Sequence, residues 1–199
     1  MSLAVEKCFC GCAKTVPLPR PRPGRRSQDC LMRVATALKA DLETWTGGSI
    51  SDSYLEELAK ILGLSHSWDA YALAKEMERA GYAPDENLVD ILEGVAGLAF
   101  EAQRLLAAEW VRTLNIKPAF HLGQTVSFQR RQHTYLGEIT NINLREATYT
   151  IFVESEGHVR EGTGCHGWIL NFEDVRCVAC GRPGYRIDNI FLRTSEVTR

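Results

Sequence analysis

From Ser27 to Leu114 apolar residues recur every three or four positions, and after Pro118 they alternate with polar ones. The first spacing predicts amphipathic helices and the second predicts half-buried strands. A capping side chain at Ser27 or Asp29 precedes Leu31, Val34, Ala35, Leu38 and Leu42, a stripe that ends at Gly47 and Gly48. Ser51 caps a second helix carrying Leu55, Leu58, Ala59 and Leu62, which stops at Gly63. Ser67 opens a third, with Tyr71, Ala74 and Met77 on one stripe until Gly81. Pro84 suits the first turn of a fourth, whose Leu88, Ile91, Leu92, Val95, Leu98, Ala99, Ala102, Leu105 and Leu106 form a continuous face to about Leu114. Four helices with short connections imply a bundle.

The alternating segments are Thr125 to Gln129, Tyr135 to Asn141, Thr148 to Val153 and Gly167 to Phe172, and Tyr185 to Leu192 also reads as a strand. Five or six short strands in about sixty residues cannot bury both faces as a flat sheet, and a small closed barrel solves that. The expected class is α+β. Ahead of the helices, Pro17, Pro19, Pro21 and Pro23 occupy every second position, which forbids helix. The segment reads as an extended arm carrying Arg20, Arg22, Arg25 and Arg26. The expected organisation is a basic, Cys-rich arm over 1–30, a helical domain over 31–116 and a barrel over 117–199.

Charge follows the same divisions. Residues 1–30 hold six Lys/Arg against two Asp/Glu, residues 31–116 seven against fourteen, and residues 117–199 ten against nine. A basic end beside an acidic helical body directs any nucleic-acid contact to the first or last segment. No stretch has the length of a membrane span, and the N-terminus lacks the apolar run of a signal peptide, so a cytoplasmic protein is expected.

That compartment bears on the seven cysteines. In a reducing environment clustered thiols serve metal more readily than disulfides, and an odd number argues against a full disulfide set. Cys8, Cys10, Cys12 and Cys30 stand at one end, and Cys177 and Cys180 at the other, with Cys165 and His166 between them. Eight soft ligands suffice for one or two structural zinc sites. Cys177-Val178-Ala179-Cys180-Gly181 has the two-residue gap and trailing glycine of a zinc knuckle, in which the glycine closes the turn in the left-handed region. The partition stays open: Cys165 and His166 complete the knuckle, or N-terminal cysteines join Cys177 and Cys180 and staple the chain ends together.

Two resemblances follow. Leu122-Gly123-Gln124-Thr125-Val126-Ser127-Phe128, Tyr135-Leu136-Gly137-Glu138-Ile139, Tyr149-Thr150-Ile151-Phe152-Val153 and Trp168-Ile169-Leu170 together resemble an SH3-like or Tudor-like barrel. Such barrels open with a Gly-x-x-Val strand, place a glycine in the second strand and bind peptides, nucleic acid or protein partners. The resemblance implies an aromatic rim, for which Tyr135, Tyr149 and Trp168 are the candidates. Cys8-Phe9-Cys10-Gly11-Cys12 resembles the Cys-x-Cys-Gly-Cys start of small uncharacterised proteins and zinc-bearing nuclease-associated modules of actinobacteria and their phages, with Ala13 where a closing glycine usually stands.

Catalysis finds little support. His66, His121, His133, His158 and His166 are scattered, and neither a phosphate loop nor a His-Glu-His helix pattern is present. The function expected is a noncatalytic zinc-binding adaptor that docks on nucleic acid or on a nucleic-acid-bound complex of transcription or translation. Arg20, Arg22, Arg25 and Arg26 of the arm, with Arg130 and Arg131 of the first hairpin, would touch phosphate. The alternatives are a protein-only module with an acidic helical surface and a zinc-dependent nuclease-associated protein. A small-molecule substrate is not expected.

Overall fold

The computed structural model describes residues 18–153 and 167–187. The expected ligands Cys8, Cys10, Cys12, Cys165 and His166 lie outside the described residues, as does the last part of the expected strand from Tyr185 to Leu192. The chain divides into two compact units, one of Arg22–Ala107 and the other joining Met1–Pro21 with Ala108–Arg199.

The first unit is helical: α1 (Gln28–Ala37), α2 (Lys39–Thr46), α3 (Asp52–Leu64), α4 (Ala70–Arg79), α5 (Glu86–Glu93) and the first part of α6 (Val95–Leu114). Each start that has a polar cap is explained by a side chain satisfying an orphan amide. Ser27 accepts from the Cys30 amide, Ser51 from Tyr54, Asp69 from Ala72 and Asp85 from Leu88. Asp69, not Ser67, therefore opens α4; the Ser67 hydroxyl accepts from the Asp69 amide one step earlier.

The long stripes are interrupted twice. Leu38 (φ −79°, ψ −9°) and Gly94 (φ −73°, ψ −14°) depart slightly from helix, although bonds from Leu42 to Leu38 and from Leu98 to Gly94 carry the ladder across each break. Gly63 does not end α3. It is a close-approach position, where an added Cβ would meet Leu31 Cδ1 of α1 at 3.1 Å. The buried stripe of these helices includes Leu31, Val34, Leu58, Leu62, Leu73, Met77, Leu88, Leu92 and Ala99.

In the second unit β1 (Ile116–Pro118) pairs with β7 (Tyr185–Ile187), and a five-stranded antiparallel sheet runs in the order β5-β4-β3-β2-β6. Its strands are β2 (Thr125–Arg130), β3 (His133–Asn143), β4 (Thr148–Phe152), β5 (Trp168–Asn171) and β6 (Val175–Cys177), the last two joined by a 3₁₀ turn at Phe172–Asp174. The sheet curls into a half-barrel with β5 and β6 as its two edges. Among the described residues the expected full closure is not reached. Alternation buries Val126, Phe128, Ile139, Tyr149 and Ile151 on the concave face, with Trp110 and Leu114 of α6 in the same cluster.

Tyr149 is the keystone of this core. Its hydroxyl donates to the Gly184 carbonyl at 2.7 Å and accepts from the Phe120 amide at 3.1 Å, while its ring lies 4.3 Å from Phe172 and 6.0 Å from Phe120. Two glycines make the fit possible. A Cβ on Gly137 would come within 2.5 Å of Ile151 and Phe152 on β4, and one on Gly184 within 2.8 Å of the Tyr149 ring.

Candidate functional site

The β2–β3 hairpin is closed by a two-residue loop, since Arg130 pairs with His133 and only Arg131 and Gln132 lie between them. Two-residue loops that match strand twist need a positive φ at their first position, which favours glycine. Here that residue is Arg131, with φ 54°. An L side chain in the left-handed region costs about 1–2 kcal/mol, so the hairpin carries a strained, exposed arginine at its tip.

The strand period of two sets what stands beside it. Phe128 is in the core, so Arg130, two positions on, extends from the same concave face, as do His133 and Tyr135 opposite them. Phe128 and Tyr135 face each other across the ladder with ring centroids 5.4 Å apart, and the His133 ring meets Tyr135 edge-on at 6.4 Å. From β5, separated from β2 by two strands in the sheet order, Trp168 reaches the same end. The Arg130 guanidinium lies over its ring at 3.6 Å from the centroid. That distance spans the concave side and is a direct measure of the curl.

The result is a mouth in which a half-buried Tyr135 and a half-buried Trp168 adjoin Arg130 and His133, with Arg131 next along at the hairpin tip, all three exposed. No carboxylate occurs between Gln129 and Gly137. Thus the hairpin cations and the rim aromatics, expected separately from the sequence, form one cluster. Tyr149 is not part of it, because it is fully buried and its hydroxyl is engaged within the core. Burial pushes that hydroxyl up to about 12, with its backbone partners opposing. The sequence signal for the cluster was the period of two, which already puts residues 128 and 130 on one face; the approach of Trp168 depends on sheet order.

The arm arginines divide differently. Arg25 donates to Gln103 Oε1 at 2.9 Å and lies over the Phe100 ring at 5.1 Å. Arg26 donates to the carbonyls of Ser65 and Gly63 at the end of α3 and lies 5.7 Å over Trp68. Arg26 is therefore a C-terminal helix cap, its charge placed where the helix dipole is negative. Arg20 is exposed, its carbonyl accepting from Trp110 Nε1 at 3.2 Å, and Arg22 is half-buried.

The cysteines also separate. Cys30 is buried in α1 of the helical unit, where its thiol donates to the Ala99 carbonyl at 3.6 Å. Burial pushes the thiol up against the opposing pull of Arg33 and Arg25, which keeps the proton in place. Cys177 and Cys180 belong to the other unit, on either side of a tight turn. The Gly181 amide donates to the Cys177 carbonyl at 2.8 Å, the Cys177 amide donates to the Arg182 carbonyl at 2.8 Å, and Gly181 has φ 67°. The backbone thus has the left-handed glycine that a knuckle requires. Among the described residues no group of three or more His, Cys, Asp or Glu side chains is placed to hold a metal ion. No helix among them is long and apolar enough to cross a membrane.

No protein-family model matches the chain, and neither a curated protein nor a solved structure matches it.

Proposed function

We propose that this protein is a noncatalytic binding module whose half-barrel holds single-stranded nucleic acid at the mouth formed by Arg130, Arg131, His133, Tyr135 and Trp168. One observation carries the reading: the Arg130–Trp168 contact brings a basic hairpin tip and two aromatic rings to the same end of the sheet. Cations that follow a phosphate backbone, beside rings on which bases stack, are the two components of sequence-tolerant single-strand binding. A cationic peptide fits this mouth less well, because the Arg130 guanidinium already lies over the Trp168 ring and no carboxylate lies between Gln129 and Gly137 to offset it. The sheet order supports the SH3-like reading, since β2 to β5 form a meander and β6 returns to pair with β2. Arg20, exposed and in the same unit as the half-barrel, would extend the contact, whereas Arg25 and Arg26 serve the helical unit.

Zinc belongs to the same reading as a structural ion at the turn of Cys177 and Cys180, with further ligands drawn from Cys8, Cys10, Cys12, Cys165 and His166. Two thiols and a left-handed glycine fit half of a tetrahedral site. Native mass spectrometry of the full chain checks this directly: at least one zinc is expected, lost when both Cys177 and Cys180 are changed to Ser. A metal-free, reduced protein that melts identically in chelator refutes it.

Binding is tested by fluorescence anisotropy with dye-labelled octamers of thymidine and of uridine across a salt series. A steep fall of affinity with salt is expected, made shallower by about 0.7 in the logarithmic slope for each of Arg130 and Arg131 changed to Ala. No binding of either strand, or binding indifferent to salt and to both substitutions, overturns the proposal and favours a protein-facing module.

A further inference from the structure

The Trp168 ring face that a base would use is covered by a side chain of the protein itself, the Arg130 guanidinium at 3.6 Å. Resting on the proposal that the mouth binds a single strand, we infer that Arg130 is a gate: a nucleobase takes its place on Trp168, and the displaced guanidinium moves to the strand's phosphate. Three features support the exchange. Arg130 is the last residue of β2, exposed and at the end of the ladder, so only its own side-chain torsions need change. A guanidinium and a base offer the same flat, π-facing surface to an indole, so the ring accepts either in one geometry. His133 stands directly across the ladder from Arg130, and the strained Arg131 follows Arg130 in the chain, so a guanidinium leaving the ring remains beside a second guanidinium and gains most from a phosphate partner. Tyr135, stacked on Phe128, stays in place as the fixed wall of the mouth.

The exchange has a signature that a simple phosphate contact lacks. In the resting protein the Arg130–Trp168 contact competes with the base, and an exposed contact of this kind corresponds to roughly a two- to fivefold bias. Removing Arg130 therefore weakens the hold on phosphate while strengthening the preference for a base. The test compares a thymidine octamer with an abasic octamer of equal phosphate number, at one salt concentration, on the full chain. In wild type the thymidine strand binds more tightly. In Arg130→Ala both strands bind more weakly, yet the ratio of thymidine to abasic affinity rises by about two- to fivefold. In Trp168→Leu, which retains apolar volume on β5, the ratio falls to near one while the abasic strand binds at least as tightly as in wild type, because the Arg130 guanidinium no longer has a ring to leave; thermal melts confirm that each variant is folded.

A ratio that is unchanged or lower in Arg130→Ala, with Trp168→Leu still abolishing it, overturns the gate and leaves the binding reading intact. A ratio that survives Trp168→Leu overturns Trp168 as the base subsite. If neither strand binds wild type, the binding reading itself fails and the gate falls with it.

Discussion

Arg131 sits where a glycine would fold better, and this separates stability from binding. Changing it to Ala removes the charge but keeps a Cβ at φ 54°, whereas changing it to Gly removes both the charge and the strain. The left-handed conformation costs an L residue about 1–2 kcal/mol, and glycine returns about 0.5–1 kcal/mol of that through its larger backbone entropy in the unfolded chain. The glycine variant is thus expected to be about 0.5–1 kcal/mol more stable than the alanine variant. In a cooperative unit of small-domain size, that is a difference in Tm on the order of 4 °C. Both variants lose the same cation, so both should show the same shallower salt dependence for a single strand, by about 0.7 in logarithmic slope. The measurements are a thermal melt by circular dichroism and an anisotropy salt series on the same preparations. An alanine variant as stable as the glycine one would show that the loop does not hold position 131 in the left-handed region. Salt slopes equal to wild type in both would remove Arg131 from the interface.

Arg26→Ala should destabilise the helical unit by about 1–2 kcal/mol, because it leaves the carbonyls at the end of α3 without their charged donor, and should leave the salt slope of strand binding unchanged; urea melts and anisotropy read the two effects. Tyr149→Phe should cost about 1–3 kcal/mol in urea, since the Gly184 carbonyl and Phe120 amide lose a buried partner. With its hydroxyl raised to about 12, the folded protein keeps a proton that the unfolded chain releases near its ordinary pKa of about 10, so stability falls as pH climbs from about 10 to about 12. Tyr149→Phe should flatten that decline without abolishing it, because burial and Glu57 also push Tyr82 up to about 12. Gly184→Ala should destabilise the half-barrel by about 1–3 kcal/mol or prevent its folding, as the new methyl would meet Tyr149 and the Phe172 carbonyl at 2.8 Å.

The change of period near Pro118 separates helices from strands, although the structure makes the switch slightly earlier, at Asn115, with β1 already running to Pro118; burial of one face acts through spacing. Boundaries were less legible where two local signals competed. Ser67 and Asp69 both have capping chemistry, and only the latter has an amide three residues on in reach. Gly63 carries the mark of a helix stop, but the neighbour that makes it a packing position, Leu31, lies on another helix. Tyr149 and Tyr135 are the same residue type on adjacent strands. One is sealed by Phe120, Phe172 and a loop glycine distant in sequence, and no local pattern distinguishes them.

The arginine pairs make the same point about function. Arg25-Arg26 and Arg130-Arg131 look equivalent in the sequence, each a doublet in a polar stretch. In the fold the first doublet spends its donors on Gln103 and on the end of α3, with its guanidinium faces over Phe100 and Trp68. Those contacts would have to break before a phosphate could bind, at the cost of a helix cap. The second doublet holds one guanidinium on a single exchangeable ring and the other on a strained turn. Availability, rather than charge, decides which cations meet a ligand. It follows that replacing Arg25 and Arg26 together should alter melting more than binding, while replacing Arg130 and Arg131 together should do the reverse. A double variant that broke this pattern would move the interface off the half-barrel.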